Sequence, residues 1–102
     1  TRIGNPARPQ QIIRAFTEPA GWATAVSEAE IVAALRELWG QGLYVEPTAA
    51  VAAAACRAAL ASGRTLPNGE IVVLLTGSGL KATETIAHIL DTGKASDPAA
   101  AE

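Results

Sequence analysis

The clearest pattern of apolar and polar positions in the chain predicts an amphipathic helix that begins after Ser27. Apolar side chains recur there at the three- and four-residue spacing of one helix face; they are Ile31, Leu35, Leu38 and Trp39. Ser27 and Glu30 have the spacing of a capping box, in which each side chain bonds to the backbone N–H of the other residue. Gly40 or Gly42 is expected to end the helix in the left-handed conformation.

An alanine-rich segment predicts a second helix, from Pro47 to about Ala61. Proline suits the first turn of a helix, and Gly63 follows the last alanine as a stop signal. Because alanine side chains are short, this helix is expected to pack closely against its neighbours, with Arg57 on the solvent side. Weaker apolar patterns predict shorter helices at 10–16 and 83–90.

Residues 71–75 form a continuous aliphatic run, Ile-Val-Val-Leu-Leu, that predicts a β-strand. A strand that is apolar on both faces is typical of a parallel sheet covered by helices. A glycine-containing turn, 76–79, follows the run and precedes the predicted helix at 83–90. The predicted fold class is therefore α/β.

The turn at 76–79 is the strongest candidate for a binding site, because ligands of open α/β sheets bind beyond the carboxyl ends of the strands. Gly77 and Gly79 permit a close approach of the backbone, and Thr76 and Ser78 offer hydroxyl groups. An ordinary turn without a ligand explains the same residues equally well. Glu46, at the start of the alanine-rich helix, is a candidate ligand group, but a helix N-cap is its simpler interpretation.

Composition narrows the class of protein. The chain has 102 residues, 49% of them hydrophobic, which suits one small globular domain. A net charge of −2 disfavours nucleic-acid binding, and the apolar stretch at 49–61 is too short to span a membrane.

Cys56 has no partner for an internal disulfide, so nothing points to an oxidising compartment, and we expect a cytoplasmic protein. His88 has no ligand at metal-binding spacing, so no metal site is expected. The chain has no methionine and begins with Thr1, which is consistent with a piece of a larger protein.

Four segments carry a resemblance to a known family. They are Arg2-Ile3-Gly4-Asn5-Pro6-Ala7, the capped helix after Val26-Ser27, Tyr44-Val45-Glu46-Pro47-Thr48-Ala49-Ala50 and Leu75-Thr76-Gly77-Ser78-Gly79-Leu80-Lys81. In this order they resemble the C-terminal part of threonine synthase and its close relatives, pyridoxal-phosphate enzymes of the tryptophan-synthase-β fold type. The resemblance covers residues 1–90. It implies a fragment of a three-layer α/β/α domain with a short, mostly parallel sheet and Ala-rich helices. Residues 1–92 would be the C-terminal segment of a pyridoxal-phosphate-binding domain, and 93–102 a flexible tail.

The resemblance also implies which residues contact pyridoxal phosphate. Thr76 would bond to the pyridine nitrogen, the turn 76–79 would close that side of the cofactor, Gly4 and Asn5 would pass near the ring, and Glu46 would lie near its nitrogen edge. The implied cofactor-binding residues are thus Thr76, Gly77, Ser78, Gly79, Gly4, Asn5 and Glu46. A neutral hydroxyl at the ring nitrogen suits elimination and replacement reactions better than transamination.

The reaction that the resemblance implies for the parent enzyme, a lyase of amino-acid biosynthesis, converts O-phosphohomoserine to threonine and phosphate. The family's Schiff-base lysine and phosphate-binding loop lie upstream of the matched region, and neither Lys81 nor Lys94 matches that lysine. We therefore expect no catalytic residue, no bound cofactor and no activity in this chain alone. The expected partners are the remainder of the parent enzyme and further copies in a homo-oligomer. A threonine or serine dehydratase-like lyase and a stand-alone binding or assembly module without catalysis are the alternatives.

Overall fold

The computed structural model of the chain describes residues 4–18, 21–63 and 69–94, and the regular structure in this part is helical. The elements are α1 (Pro9–Thr17), α2 (Glu28–Gly40), α3 (Pro47–Ala61), a short 3₁₀ turn (Gly79–Lys81) and α4 (Thr83–Lys94). The helices predicted from the sequence are confirmed, and α4 extends four residues beyond its predicted end at 90. The first two residues of the Arg-Ile-Gly-Asn-Pro motif, Arg2 and Ile3, and most of the predicted tail lie outside the described residues.

Helix α2 begins with the predicted capping box. The Ser27 hydroxyl accepts a hydrogen bond from the Glu30 backbone N–H at 3.3 Å, and the Glu30 carboxylate accepts one from the Ser27 N–H at 2.6 Å. The same carboxylate accepts a hydrogen bond from the Ser27 hydroxyl at 2.7 Å. The backbone bond first, and the hydroxyl bond second, lower the pKa of Glu30 from its ordinary value of 4.5, because both stabilise the charged form.

Helix α2 ends in a Schellman motif at Gly42, which confirms the predicted left-handed stop. Gly42 has φ 84°, a conformation that favours glycine. Its N–H donates to the Trp39 carbonyl at 2.9 Å, and the Leu43 N–H donates to the Leu38 carbonyl at 2.9 Å. These bonds turn the chain back, so that α3 starts only a few residues later, at Pro47.

The buried core lies between α2 and α3. It consists of Ile31, Ala34 and Leu35 from α2, Val45 from the connection, and Ala49, Ala50 and Ala54 from α3. Leu35 is fully buried, and the alanines opposite it bring the two helices close together. On the solvent side of the pair, Arg57 donates to the Glu37 carboxylate at 2.6 Å.

The prediction of a short, mostly parallel sheet, and with it the α/β fold class, is wrong for the described residues. They contain no strand, and their only β-type pairing is an isolated antiparallel bridge between Val45 and Ser78. Residues 71–75 have the composition of a buried strand, but their backbone makes no hydrogen bond to another described segment. Val72 and Leu74 are 87% and 73% exposed. A strand forms only where a second strand accepts and donates its hydrogen bonds.

None of the helices in the described segments is both long and apolar enough to cross a membrane.

Candidate functional site

The turn at 76–79 lies against the connection between α2 and α3. The Glu46 N–H donates to the Gly77 carbonyl at 3.1 Å, and the Gly79 N–H donates to the Tyr44 carbonyl at 3.0 Å. These two bonds flank the Val45–Ser78 bridge. The structure thus brings the turn and Glu46 together, a pairing that the sequence spacing could not reveal.

Both glycines of the turn are buried, and a side chain of this chain occupies the space beside each of them. A Cβ at Gly77 would overlap the Glu46 side chain, whose Cγ would be 2.6 Å away. A Cβ at Gly79 would lie 2.7 Å from Cε1 of Tyr44. The glycines therefore allow residues 44–46 to approach the turn closely.

The two hydroxyl groups of the turn have different surroundings. The Ser78 hydroxyl accepts a hydrogen bond from the Leu80 N–H at 3.3 Å and caps the 3₁₀ turn. Thr76 is exposed, and its hydroxyl has no hydrogen-bond partner among the described residues. Thr76 thus has both its donor and its acceptor sites free of described partners, and the Ser78 O–H also remains free to donate.

Glu46 has the backbone conformation of the α3 N-cap, with φ −77° and ψ 158°. Its half-buried side chain makes no capping hydrogen bond and lies beside Gly77 instead. Glu46 is therefore the N-cap of α3 by its backbone position, as predicted, but its carboxylate forms no capping hydrogen bond. The carboxylate places a negative charge next to the candidate turn.

Gly4 and Asn5 lie in an exposed bend that precedes α1. A Cβ at Gly4 would meet no heavy atom within 4 Å, and no hydrogen bond among the described residues joins this bend to the turn at 76–79. The structure therefore does not bring these two residues into the site, and their contact with a cofactor stays a prediction.

Two aromatic residues beside the turn are missed by the sequence analysis as part of the site. The Trp39 indole N–H donates to the Val45 carbonyl at 3.2 Å, and the rings of Trp39 and Tyr44 are 6.2 Å apart, centroid to centroid. Aromatic residues make up only 4% of the chain, yet two of them lie on either side of the C-terminal end of α2. This closeness is the sequence signal that could have indicated a role for them.

The donor set of the site suits an organic ligand that forms hydrogen bonds. The described residues hold no group of three or more histidine, cysteine and acidic side chains that could bind a metal ion. The site instead offers the exposed Thr76 hydroxyl, in a turn that backbone hydrogen bonds hold at Gly77 and Gly79. A hydroxyl group in this setting can bond to an aromatic ring nitrogen, so the residues present fit the pyridine edge of pyridoxal phosphate.

Comparison with known proteins identifies similar sequences. The threonine synthase of Halalkalibacterium halodurans is 35% identical over 95 residues, which cover 92% of this chain and 27% of that protein. The threonine synthase of Methanocaldococcus jannaschii is 37% identical over 81 residues, or 78% of this chain and 20% of that protein. That of Methanosarcina acetivorans is 32% identical over 91 residues, or 88% and 22%. The chain thus spans about a quarter or less of the length of these relatives.

No solved structure gives a significant match. The family model described as pyridoxal-phosphate dependent enzyme matches residues 1–77, well over half of the 102 residues. The three relatives confirm the resemblance to threonine synthase, and the family makes pyridoxal phosphate the cofactor of an enzyme that carries this segment. This chain belongs to the family of pyridoxal-phosphate-dependent enzymes.

Proposed function

We propose that this chain is the part of a threonine-synthase-like enzyme that supplies the pyridine-nitrogen side of the cofactor site. The observation that carries the proposal is 32–37% identity to three threonine synthases over most of the chain. The reaction of the full-length protein is then the conversion of O-phosphohomoserine to threonine and phosphate, in the cytoplasm and as part of amino-acid biosynthesis.

Thr76 is the residue that would hold the ring nitrogen. Pyridoxal phosphate supplies an electron sink for carbanionic chemistry at amino acids. The exposed Thr76 hydroxyl, without a partner among the described residues, can donate a hydrogen bond to the nitrogen while remaining neutral. A carboxylate in this position would favour a protonated nitrogen, whereas a hydroxyl does not require one. This property suits elimination and replacement chemistry.

The backbone of the turn orients Thr76. The hydrogen bonds from the Glu46 N–H to the Gly77 carbonyl and from the Gly79 N–H to the Tyr44 carbonyl fix the first and third residues after Thr76. Because α3 begins directly after Glu46, the turn is attached to the most buried part of the molecule. The proposed role of residues 77–79 is therefore to keep the threonine hydroxyl in one position.

The segment orients the ring but, in this proposal, does not attach the cofactor. The family's Schiff-base lysine and phosphate-binding loop fall outside the region of resemblance, and Lys81 occupies an exposed position in the 3₁₀ turn. We therefore propose that the 102-residue chain alone has no activity. Its partners would be the remainder of the parent enzyme, which covers residues 71–75, and further copies of that enzyme.

Thr76→Val in the full-length protein tests this function, since valine keeps the shape and loses the hydroxyl. We expect the affinity for pyridoxal phosphate to fall about five- to ten-fold, the effect of one lost hydrogen bond. Thr85→Val is the matched control, because Thr85 is exposed in α4, away from the turn. Unchanged affinity and turnover in Thr76→Val would remove Thr76 from the site.

Substrate assays of the full-length protein separate the proposed reaction from its alternatives. Release of phosphate and threonine from O-phosphohomoserine supports the proposal. Formation of a 2-oxo acid and ammonia from threonine or serine would instead identify a dehydratase-like lyase. A full-length protein that binds no pyridoxal phosphate would favour a binding or assembly module.

A further inference from the structure

We propose that Trp39 and Tyr44 are positioning residues that hold the turn at 76–79 in its binding geometry. This inference rests on the proposed role of the turn at the cofactor. Neither residue belongs to the set that the family resemblance implies, and neither is proposed to touch the cofactor. They act through the backbone bonds that fix the turn.

Tyr44 contacts the turn in two ways. Its carbonyl accepts the Gly79 N–H at 3.0 Å, and its ring occupies the space next to the Gly79 Cα, since a Cβ there would be 2.7 Å from Cε1. The ring is 44% exposed, so it contributes little to the α2–α3 core. The main structural contact of Tyr44 is therefore with the turn.

Trp39 fixes the segment from which the turn is bound. Its indole N–H donates to the carbonyl of Val45, the residue that forms the bridge to Ser78. The Trp39 ring lies next to the ring of Tyr44, with the centroids 6.2 Å apart and the planes inclined by 40°. The bond therefore sets the orientation of the Val45–Glu46 peptide, whose N–H donates to the Gly77 carbonyl.

Loss of either aromatic contact should loosen the turn without unfolding the helices. The core of α2 and α3 depends on Leu35 and its alanine neighbours. Tyr44 is not part of this core, and Trp39→Phe keeps an aromatic ring at the position where Trp39 packs against it. Thr76 directly precedes Gly77, so movement of the turn displaces the Thr76 hydroxyl from the ring nitrogen. The expected result is a lower affinity for the cofactor, together with faster opening of the two backbone hydrogen bonds that the Glu46 and Gly79 N–H groups donate.

The test uses the full-length protein with Trp39→Phe, which removes the indole donor, and Tyr44→Leu, which removes the ring from Gly79. Tyr44→Phe is the matched control, because it keeps the ring and loses only the hydroxyl. Hydrogen exchange, measured by mass spectrometry without cofactor, follows peptides containing the Glu46 and Gly79 amides. The affinity for pyridoxal phosphate is measured separately.

We expect exchange at these two amides to become about five-fold faster or more and cofactor affinity to fall by about five- to ten-fold in Trp39→Phe and Tyr44→Leu. Exchange within α2 and α3 should stay unchanged, and Tyr44→Phe should behave as the parent protein. Unchanged exchange at Glu46 and Gly79 would overturn the inference. So would exchange that rises equally throughout both helices, since that outcome indicates a purely structural role.

The Thr76→Val variant separates failure of this inference from failure of the proposed function. If Thr76→Val weakens cofactor binding but the two aromatic variants do not, the turn binds the cofactor and the positioning role is wrong. If exchange accelerates at both amides while none of the variants changes cofactor affinity, the proposed function of the turn is wrong. Its positioning for a cofactor is then overturned as well.

Discussion

The α2–α3 pair and residues 71–75 are both rich in apolar side chains, yet only the first forms a core in the described structure. Leu35 in α2 is fully buried, whereas Leu74 is 73% exposed. A helix satisfies its backbone hydrogen bonds internally and needs a neighbour only for its apolar face. A strand needs a neighbour for its backbone as well. The difference shows that apolar composition specifies which residues favour burial but not which segment covers them.

The boundary between the two regions is loosely packed. An open pocket of about 320 Å³ lies where Val73 and Leu75 approach Leu38, Leu43 and the middle of α3. Its lining is mainly apolar, and apolar surface favours burial. The pocket is consistent with the proposal that a further part of the enzyme completes the packing around residues 71–75.

The largest effect is expected from Leu35→Ala, compared with Leu74→Ala in the 102-residue chain. Leu35→Ala leaves a cavity in the core and should lower the free energy of unfolding by about 2–5 kcal/mol. Leu74→Ala changes an exposed side chain and should cost less than about 0.5 kcal/mol. Urea denaturation followed by circular dichroism measures both values.

The same pair of variants in the full-length protein tests whether residues 71–75 are covered there. If the remainder of the enzyme covers residues 71–75, Leu74→Ala should there cost about 2 kcal/mol or more. A small cost in both proteins would contradict the proposed cover. A large cost in the 102-residue chain that depends on protein concentration would show instead that a second copy covers the segment.

Gly77→Ala should have the next largest effect, because the added methyl group overlaps the Glu46 side chain. We expect a loss of about 1–2 kcal/mol, the lower part of the usual cost of overpacking, because the flexible Glu46 side chain can move partly aside. In a Glu46→Ala background the methyl group has room, so the cost of Gly77→Ala should fall below about 0.5 kcal/mol, a direct measure of their coupling. Denaturation of the two single variants and the double variant gives this coupling.

Gly40→Ala is the matched control for Gly77→Ala, since a Cβ at Gly40 meets no heavy atom within 4 Å. Gly40 is the last residue of α2, where alanine should leave stability unchanged or raise it by up to about 1 kcal/mol. Equal losses at the two glycines, or a Gly77→Ala cost that Glu46→Ala does not reduce, would contradict the close approach of Glu46 to the turn.

Much of the helical structure could be predicted because its determinants are local. The capping box at Ser27 and the left-handed stop at Gly42 bound α2, and Pro47 marks the start of α3. Each of these signals lies within a few residues of the element that it ends or begins. The absence of a paired strand at 71–75 could not be predicted, because it depends on which other segments are beside it.

The candidate site was predictable only in part, for the same reason. The residue types of the turn and the resemblance predict that Thr76 contacts pyridoxal phosphate, and this contact stays a prediction. Its arrangement against Glu46 and Tyr44 depends on contacts between residues distant in sequence, which the sequence pattern does not encode. The two glycines suggested close backbone approach, but the structure shows that the approaching groups are side chains of this chain.

A smaller effect is expected at the capping box of α2, which belongs to the well-formed region. Ser27→Ala should lower stability by about 1 kcal/mol at pH 7, because the variant leaves a helix N–H without its acceptor. The pKa of Glu30 is lowered in the folded chain, so the stability it contributes is present above its ordinary pKa of 4.5 and is lost as the pH falls through the folded value. The difference between the parent chain and Ser27→Ala should therefore shrink below pH 4.5.

Glu30→Gln is the control for this pH dependence. Glutamine keeps an oxygen that accepts the Ser27 N–H, but it does not titrate. Urea midpoints of the parent chain and Glu30→Gln, measured between pH 7 and pH 3, should converge as the carboxylate of the parent chain is protonated. A difference between the two that does not change with pH would contradict the role of the Glu30 charge.

The smallest effect is expected for the ion pair between Arg57 on α3 and Glu37 on α2. Their charged groups are 2.6 Å apart, but the side chains are 57% and 54% exposed, so water and salt screen the attraction. A double-mutant cycle with Arg57→Gln and Glu37→Gln should give a coupling of about 0.2–1 kcal/mol that decreases when the salt concentration is raised. Glutamine keeps most of each aliphatic stem, so the cycle isolates the charge. A coupling above about 2 kcal/mol, insensitive to salt, would mean that the pair is buried in solution and that a further segment covers this side of α2 and α3 as well.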